Sequence, residues 1–154
     1  MPILNQQLTS NFSLYEMLSS QTATRLGFQE QFDPPPFIVE NLRIMCEMIL
    51  QPLRNALDYP IKISSGYRCP RLNTHIKGAP NSQHMYGQAV DLIDVSNGNA
   101  VLFETIKSLG LPFDQMIDEF GLAWVHVSYD SQRMRHQMLK ATKNSKGRTV
   151  YTSL

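Results

Sequence analysis

Cysteine is scarce. The 154 residues hold two, Cys46 and Cys69, and they do not form a Cys-x-x-Cys motif. That excludes a disulfide framework and fits synthesis in a reducing compartment. Cys46 falls in a helical pattern and reads as a small buried apolar residue. Charge of one sign is lacking too: the formal net charge is +1, so there is no global signature of a nucleic-acid binder. Long apolar runs are absent, and the opening Met1-Pro2-Ile3-Leu4-Asn5-Gln6-Gln7 has no basic n-region. Neither a secretory signal nor a membrane span is expected. Repeats and low-complexity segments are missing. So are acids after Asp130, where Arg133, Arg135, Lys140, Lys143, Lys146 and Arg148 supply six positive charges. This basic C-terminal tail, from about residue 131, reads either as a solvated tail or as a contact for an anionic surface or partner protein.

What is present suits one domain over residues 1–154, long enough for a full core, with an ordinary apolar fraction of 42%. Ser13-Leu14-Tyr15-Glu16 is a capping box and predicts a helix running to about Leu26 and stopping at Gly27. Phe28 to Pro36 reads as a loop. Ile38, Leu42, Met45, Ile49, Leu53 and Leu57 recur on one helix face, and Pro52 inside it predicts a kink near Met48. Ile61 to Ser64 reads as a strand, Arg71 to Ser82 as a loop and Val90 to Ile93 as a second strand. Ala100 to Leu109 reads as a short helix ending at Gly110. Gln115 to Glu119 and Trp124 to Ser128 form a hairpin around Phe120 to Ala123. Gln132 to Lys140 is expected to be helical, and Arg148 to Thr152 an edge strand. Helices followed by a small, mostly antiparallel sheet indicate an α+β fold.

The chemistry concentrates in Ser82-Gln83-His84-Met85-Tyr86-Gly87-Gln88-Ala89-Val90-Asp91-Leu92. An imidazole and, seven residues on, a carboxylate are both zinc ligands by type. Gly87 gives the backbone freedom to turn into a strand, from which Asp91 projects while His84 folds back over it. The strand Trp124-Val125-His126-Val127-Ser128 offers a third ligand, His126. A set of His84, Asp91 and His126 leaves a fourth position open, as in catalytic zinc sites. Spacing alone leaves a plain hydrogen-bonded His–Asp pair equally open.

Ser-x-His-x-x-Gly-x-Ala-x-Asp followed by Trp-Val-His-Val-Ser resembles the M15 family of zinc peptidases. That family includes D-alanyl-D-alanine carboxypeptidases and phage peptidoglycan endopeptidases, and hedgehog signalling domains share its fold. Ile63-Ser64-Ser65-Gly66-Tyr67-Arg68-Cys69-Pro70 resembles the family's Ser-Gly-Tyr-Arg-x-Pro segment. The likeness spans roughly Phe12 to Tyr129. It implies a zinc ion held by His84, Asp91 and His126 and a peptidoglycan stem-peptide substrate. It implies that Arg68 grips a substrate carboxylate or carbonyl, and that Ser82 hydrogen-bonds within the metal loop. Trp124 either lines the cleft or fills core, and Tyr86 borders the cleft. His75 and His136 lack motif context and read as surface residues. A wall-cleaving enzyme without a signal needs a holin or a virion to reach its substrate, which would make it a cytoplasmic product acting on the wall. The rival reading is a non-catalytic, zinc-stabilised wall-binding or tail module.

The general base is the weak point. Some family members carry a carboxylate three residues before the last histidine, where this chain has Ala123. Asp114, Asp118 and Glu119 lie upstream. If Phe120 to Ala123 form the turn, Glu119 opposes Trp124, Asp118 opposes Val125 and Ile117 opposes His126. Faces alternate along each strand, so Glu119 shares the face of His126 and Asp118 points away. A loop one residue longer or shorter would reverse this and favour Asp118.

Overall fold

Capping decides the first elements. In the computed structural model, which describes residues 4–154, Ser13 and Glu16 form the expected reciprocal cap and start helix α1, Leu14–Leu18. The helix does not continue to Leu26. The Ser20 hydroxyl accepts from the Ala23 N–H and starts a separate helix α2, Gln21–Leu26, which ends at Gly27 with φ +70. A serine pair at 19–20 gives the backbone a side-chain alternative to the helical ladder, and here the alternative wins. The expected loop from Phe28 holds one tight turn, Gln29–Phe32.

Pro36 opens α3, Pro36–Met45, which passes through one wide π turn, Cys46–Leu50, into α4, Gln51–Leu57. The π turn is how the chain accommodates Pro52: Gln51 donates to Cys46 O, one residue further back than in an α-helix. Ile38, Leu42, Met45, Ile49 and Leu53 are buried on the expected face, as are the free thiols Cys46 and Cys69. Strand β1, Lys62–Ser65, follows. Residues expected to be loop then begin with a helix, α5, Pro70–His75, because Pro70 sits at its first position where no N–H is needed.

Strand β2, Ala89–Ile93, helix α6, Asn99–Ser108, and the hairpin strands β3, Gln115–Glu119, and β4, Trp124–Ser128, lie where the sequence puts them. Beyond them the expected edge strand is found and the expected helix is not. Residues 132–136 are not helical, and Gln137–Lys143 is a strand, β5, which pairs parallel to β3. The last strand, β6, Thr149–Ser153, pairs antiparallel to β5. The six strands run in the order β1-β2-β4-β3-β5-β6, a mostly antiparallel sheet with helices on one face, so the class is α+β. The basic segment after residue 131 is thus built into the sheet and is not a free tail. No helix among the described residues is long and apolar enough to cross a membrane.

The sheet register sets the site. Asp91 pairs with His126, and His126 with Ile117, which in turn pairs with Leu139. One row across four strands therefore carries two of the three expected ligands on one face. The loop Phe120–Ala123 closes with the Ala123 N–H on Glu119 O. Asp118 Oδ1 accepts from Leu122 N, and Asn99 Nδ2 donates to the Leu122 and Ala123 carbonyls, so the register is fixed from both sides.

Candidate metal centre

His84 reaches the sheet from a short turn, Gln83–Tyr86, at whose start the Ser82 hydroxyl accepts from the His84 N–H at 3.3 Å. The turn ends at Gly87, φ +68, where an added Cβ would press on the Ile38 carbonyl. The His84 ring is buried. Its Nδ1 lies 2.7 Å from the Gly66 carbonyl, to which it donates. Gly66 is equally constrained: a Cβ there would collide with the Met17 carbonyl. The Nε2 lone pair is left buried with no hydrogen-bond partner, 3.3 Å from Asp91 Oδ1. Two acceptor atoms facing each other in a dry site are unfavourable unless a cation lies between them.

His126 Nδ1 is 3.1 Å from the same Asp91 oxygen, and ligand atoms of all three residues lie within 4.8 Å of one another. The two imidazoles meet edge to face at 5.1 Å. Zinc bonds of ~2.0–2.1 Å in a tetrahedron set neighbouring donors about 3.3 Å apart, so the two separations to Asp91 Oδ1 suit that ion. Burial pushes Asp91 toward protonation, but the His84 and His126 imidazoles outweigh it and hold the carboxyl well below its usual range. Burial lowers the His84 imidazole from its ordinary value, which favours the neutral form that ligates metals.

Asp91 Oδ2 faces away from the histidines and accepts from Arg68 Nη2 at 3.3 Å. The same guanidinium donates to Ser65 Oγ and Asn73 Oδ1 and is mostly buried. Arg68 thus orients a ligand carboxylate while it borders the cleft. The cleft, about 880 Å³, is floored by the sheet face and walled by the loop through Gly78 and Ser82.

Glu119 lines this cleft together with the three ligands, and Asp118 does not. The hairpin has the register expected from the sequence, Glu119 opposite Trp124 and Ile117 opposite His126. Burial raises Glu119 above its usual range; the neighbouring His126 works against this. Asp118 is occupied capping the hairpin loop. Asp114 is buried, with its oxygens taken by Arg135 and Gln83, and has no lone pair to spare for the cleft. Trp124 lines the cleft and meets Phe120 edge to face at 5.5 Å. Tyr86 does not border it: its half-exposed ring belongs to a separate apolar groove with Pro35 and Phe37. His75 packs on Phe28 and His136 stacks on Phe113, both away from the metal face.

Three contributors escape a reading of the sequence. Gln31 is fully buried and donates to the Leu18 and Tyr67 carbonyls while accepting from Cys69 N, which holds the Arg68 segment in place. Gln83 ties the metal loop to Asp114. The β5–β6 pair supplies the far side of the cleft with Lys143 and Tyr151. The edge strand expected at Arg148 to Thr152 is half of that pair, and the period-2 alternation of Leu139, Ala141 and Lys143 is the signal for the other half.

Comparison with known proteins agrees with the geometry. A 62-residue stretch is 40% identical to the zinc D-Ala-D-Ala carboxypeptidase of Streptomyces albus G. The match covers 40% of this chain but 24% of that protein, so the likeness is to a part of it. The family model described as Peptidase M15 matches residues 10–128, which take in the Arg68 segment, all three ligand positions and Glu119. The chain belongs to the M15 peptidase family.

Proposed function

We propose that this protein is a zinc peptidase that hydrolyses amide bonds in peptidoglycan stem peptides, with D-alanyl-D-alanine cleavage as the first activity to assay. The observation that carries it is the unpartnered, buried Nε2 of His84, facing Asp91 Oδ1 beside His126 in an open cleft that also holds Glu119. The similarity to a zinc D-Ala-D-Ala carboxypeptidase supports the choice of metal and substrate.

His84, Asp91 and His126 hold the ion. Zinc bound there supplies Lewis acidity toward a carbonyl and acidifies water. Glu119 takes up a proton from water at its carboxylate and returns it to the leaving amine. Its raised affinity for protons, caused by burial, suits a base that works near neutrality. Arg68 keeps Asp91 oriented from behind and offers cationic charge to a substrate carbonyl or carboxylate at the cleft wall. Trp124 bounds the peptide on the side of the hairpin loop, and Ser82 keeps the His84 turn in shape.

The test is release of D-alanine from a stem pentapeptide, and solubilisation of purified peptidoglycan, by protein reconstituted with zinc. Hydrolysis that a chelator abolishes and zinc restores is expected, with mass spectrometry of the fragments naming the bond. Intact substrate on several wall types, with zinc occupancy confirmed by elemental analysis, would instead make the site structural.

A further inference from the structure

The metal row is not the end of the cleft. Two residues further along the strands, Trp124, Glu119, Ala141 and Tyr151 form the next row on the same face. Ala141 is small and fully buried, which leaves Tyr151 room to lie over it toward Glu119. The following row is Lys143 and Thr149. These last two strands lie outside residues 10–128, the segment matched by the family model.

The cations of the cleft differ in how they are used. Arg68 pairs with Asp91 at the metal end, and Arg133 and Arg135 pair with Asp114. Two cleft lysines, Lys77 and Lys143, have no carboxylate within ion-pair distance among the described residues, and Lys143 is the one on the β5–β6 wall. Its ammonium is instead held by the Thr149 hydroxyl at 3.0 Å and by the Phe120 ring at 5.2 Å, at the mouth of the cleft. The acids that line the cleft, Asp91 and Glu119, both belong to the metal end. Lys143 is thus a positioned cation waiting for an anion that the protein itself does not provide.

We propose that β5 and β6 form a subsite for a free carboxylate on the peptide substrate, with Lys143 as its ion partner and Tyr151 as the wall between that subsite and the metal. The proposal rests on the peptidase reading and deepens it to a substrate class. Distance locates the carboxylate. Lys143 lies four residues along the strands from the metal row, about 13 Å, and two strand spacings across from β4, roughly 10 Å. A lysine and an acidic side chain together bridge about 9 Å of that diagonal, which leaves about two or three extended peptide residues. In a stem pentapeptide ending in D-alanyl-D-alanine, the free carboxylate of the γ-linked glutamate falls in that range.

The test uses two such pentapeptides that differ only in whether this carboxylate is free or amidated, with zinc-loaded protein. The acid form is expected to have a KM lower by about tenfold, the size of one charge-assisted contact, with kcat unchanged because the contact is remote from the reacting atoms. Lys143→Met should erase the preference, Lys143→Arg should keep it, and neither should alter zinc content or turnover of the amidated peptide. Equal KM for the two peptides in the wild type, or the same preference in Lys143→Met, overturns the subsite. Calorimetric binding to zinc-loaded Glu119→Gln separates this from the peptidase reading. Binding that needs both the carboxylate and Lys143, without cleavage by the wild type, would leave the subsite standing and remove the activity. Cleavage without carboxylate dependence would do the reverse.

Discussion

The imidazole of His84 has one N–H to give in its neutral form and gives it to Gly66, which leaves a bare lone pair against a carboxylate. A bound metal ion would resolve that arrangement, so hydrogen-bond accounting supports the ligand set as well as residue type does. The same accounting selects the base. Asp114 and Asp118 have their oxygens committed to Arg135 and to Leu122 N, whereas Glu119 has no hydrogen-bond donor assigned to it and faces the cleft. Glu119→Gln is expected to lower kcat by about 10²- to 10⁴-fold with zinc content unchanged, and Asp118→Asn to leave kcat intact. Loss confined to Asp118→Asn would refute the assignment. Arg68 carries a second residue-scale prediction. Lysine cannot reach Asp91, Ser65 and Asn73 at once, so Arg68→Lys should weaken zinc retention by about 10- to 100-fold as well as raise KM. Competition against a zinc chelator would measure the first effect; wild-type retention would confine Arg68 to the substrate.

At the scale of elements, the clamp between Asp114 and Arg135 joins the entry of β3 to the segment that leads into β5, and Gln83 extends it to the metal loop. Burial pushes the Asp114 carboxyl up, but the Arg135 guanidinium and backbone N–H, with Gln83, outweigh it and hold the group below its ordinary 3.8. A depressed folded value means stability that is present above the ordinary value and lost as pH falls through the folded one. Asp114→Asn should therefore cost about 1–2 kcal/mol at neutral pH. That is less than the ~3–5 of a fully buried pair, because the Arg135 side chain is 36% exposed. The wild-type and variant stability curves should converge in acid. Parallel curves down to pH 2 would show that the pair carries no linkage. This clamp also marks where the sequence stops being readable. The β3–β4 hairpin is local: its loop length and alternation fix which residues face which, so both the His126 row and Glu119 could be placed from the residues. Strand β5 depends on a partner more than twenty residues away and pairs in parallel. Its short apolar pattern, Met138, Leu139 and Ala141, fits a helix equally well. The split at Ser19–Ser20 was hidden for the opposite reason, a purely local cap competing with a good helical period.

For the whole molecule, the metal face joins the Gln83–Tyr86 turn to two strands that are already paired with each other. His84 comes from a turn held by the Gly66 carbonyl, Asp91 from a central strand, and His126 from the hairpin. A ligand that binds the folded chain and not the unfolded one stabilises it by mass action, about 4 kcal/mol at a thousandfold excess over Kd. For a domain of this size each kcal/mol moves Tm by about 2–4 °C. Removing zinc with a chelator should therefore lower Tm by roughly 8–16 °C while the far-UV signal persists, since the hydrophobic core does not include the site. In His84→Ala the zinc-dependent part of Tm should vanish. The metal-free variant loses the unpartnered Nε2 facing Asp91 but also the Gly66 bond and buried ring volume, so it should not exceed metal-free wild type. Calorimetric scans with and without zinc, at pH 7 and again below the imidazole range, check both statements. The shift should shrink in acid as protons compete with the metal for its ligands. An unchanged Tm on chelation, in protein shown to have held zinc beforehand, would mean that the ion adds nothing to folding and that the ligands are held in place by the sheet and the Gly66 contact alone.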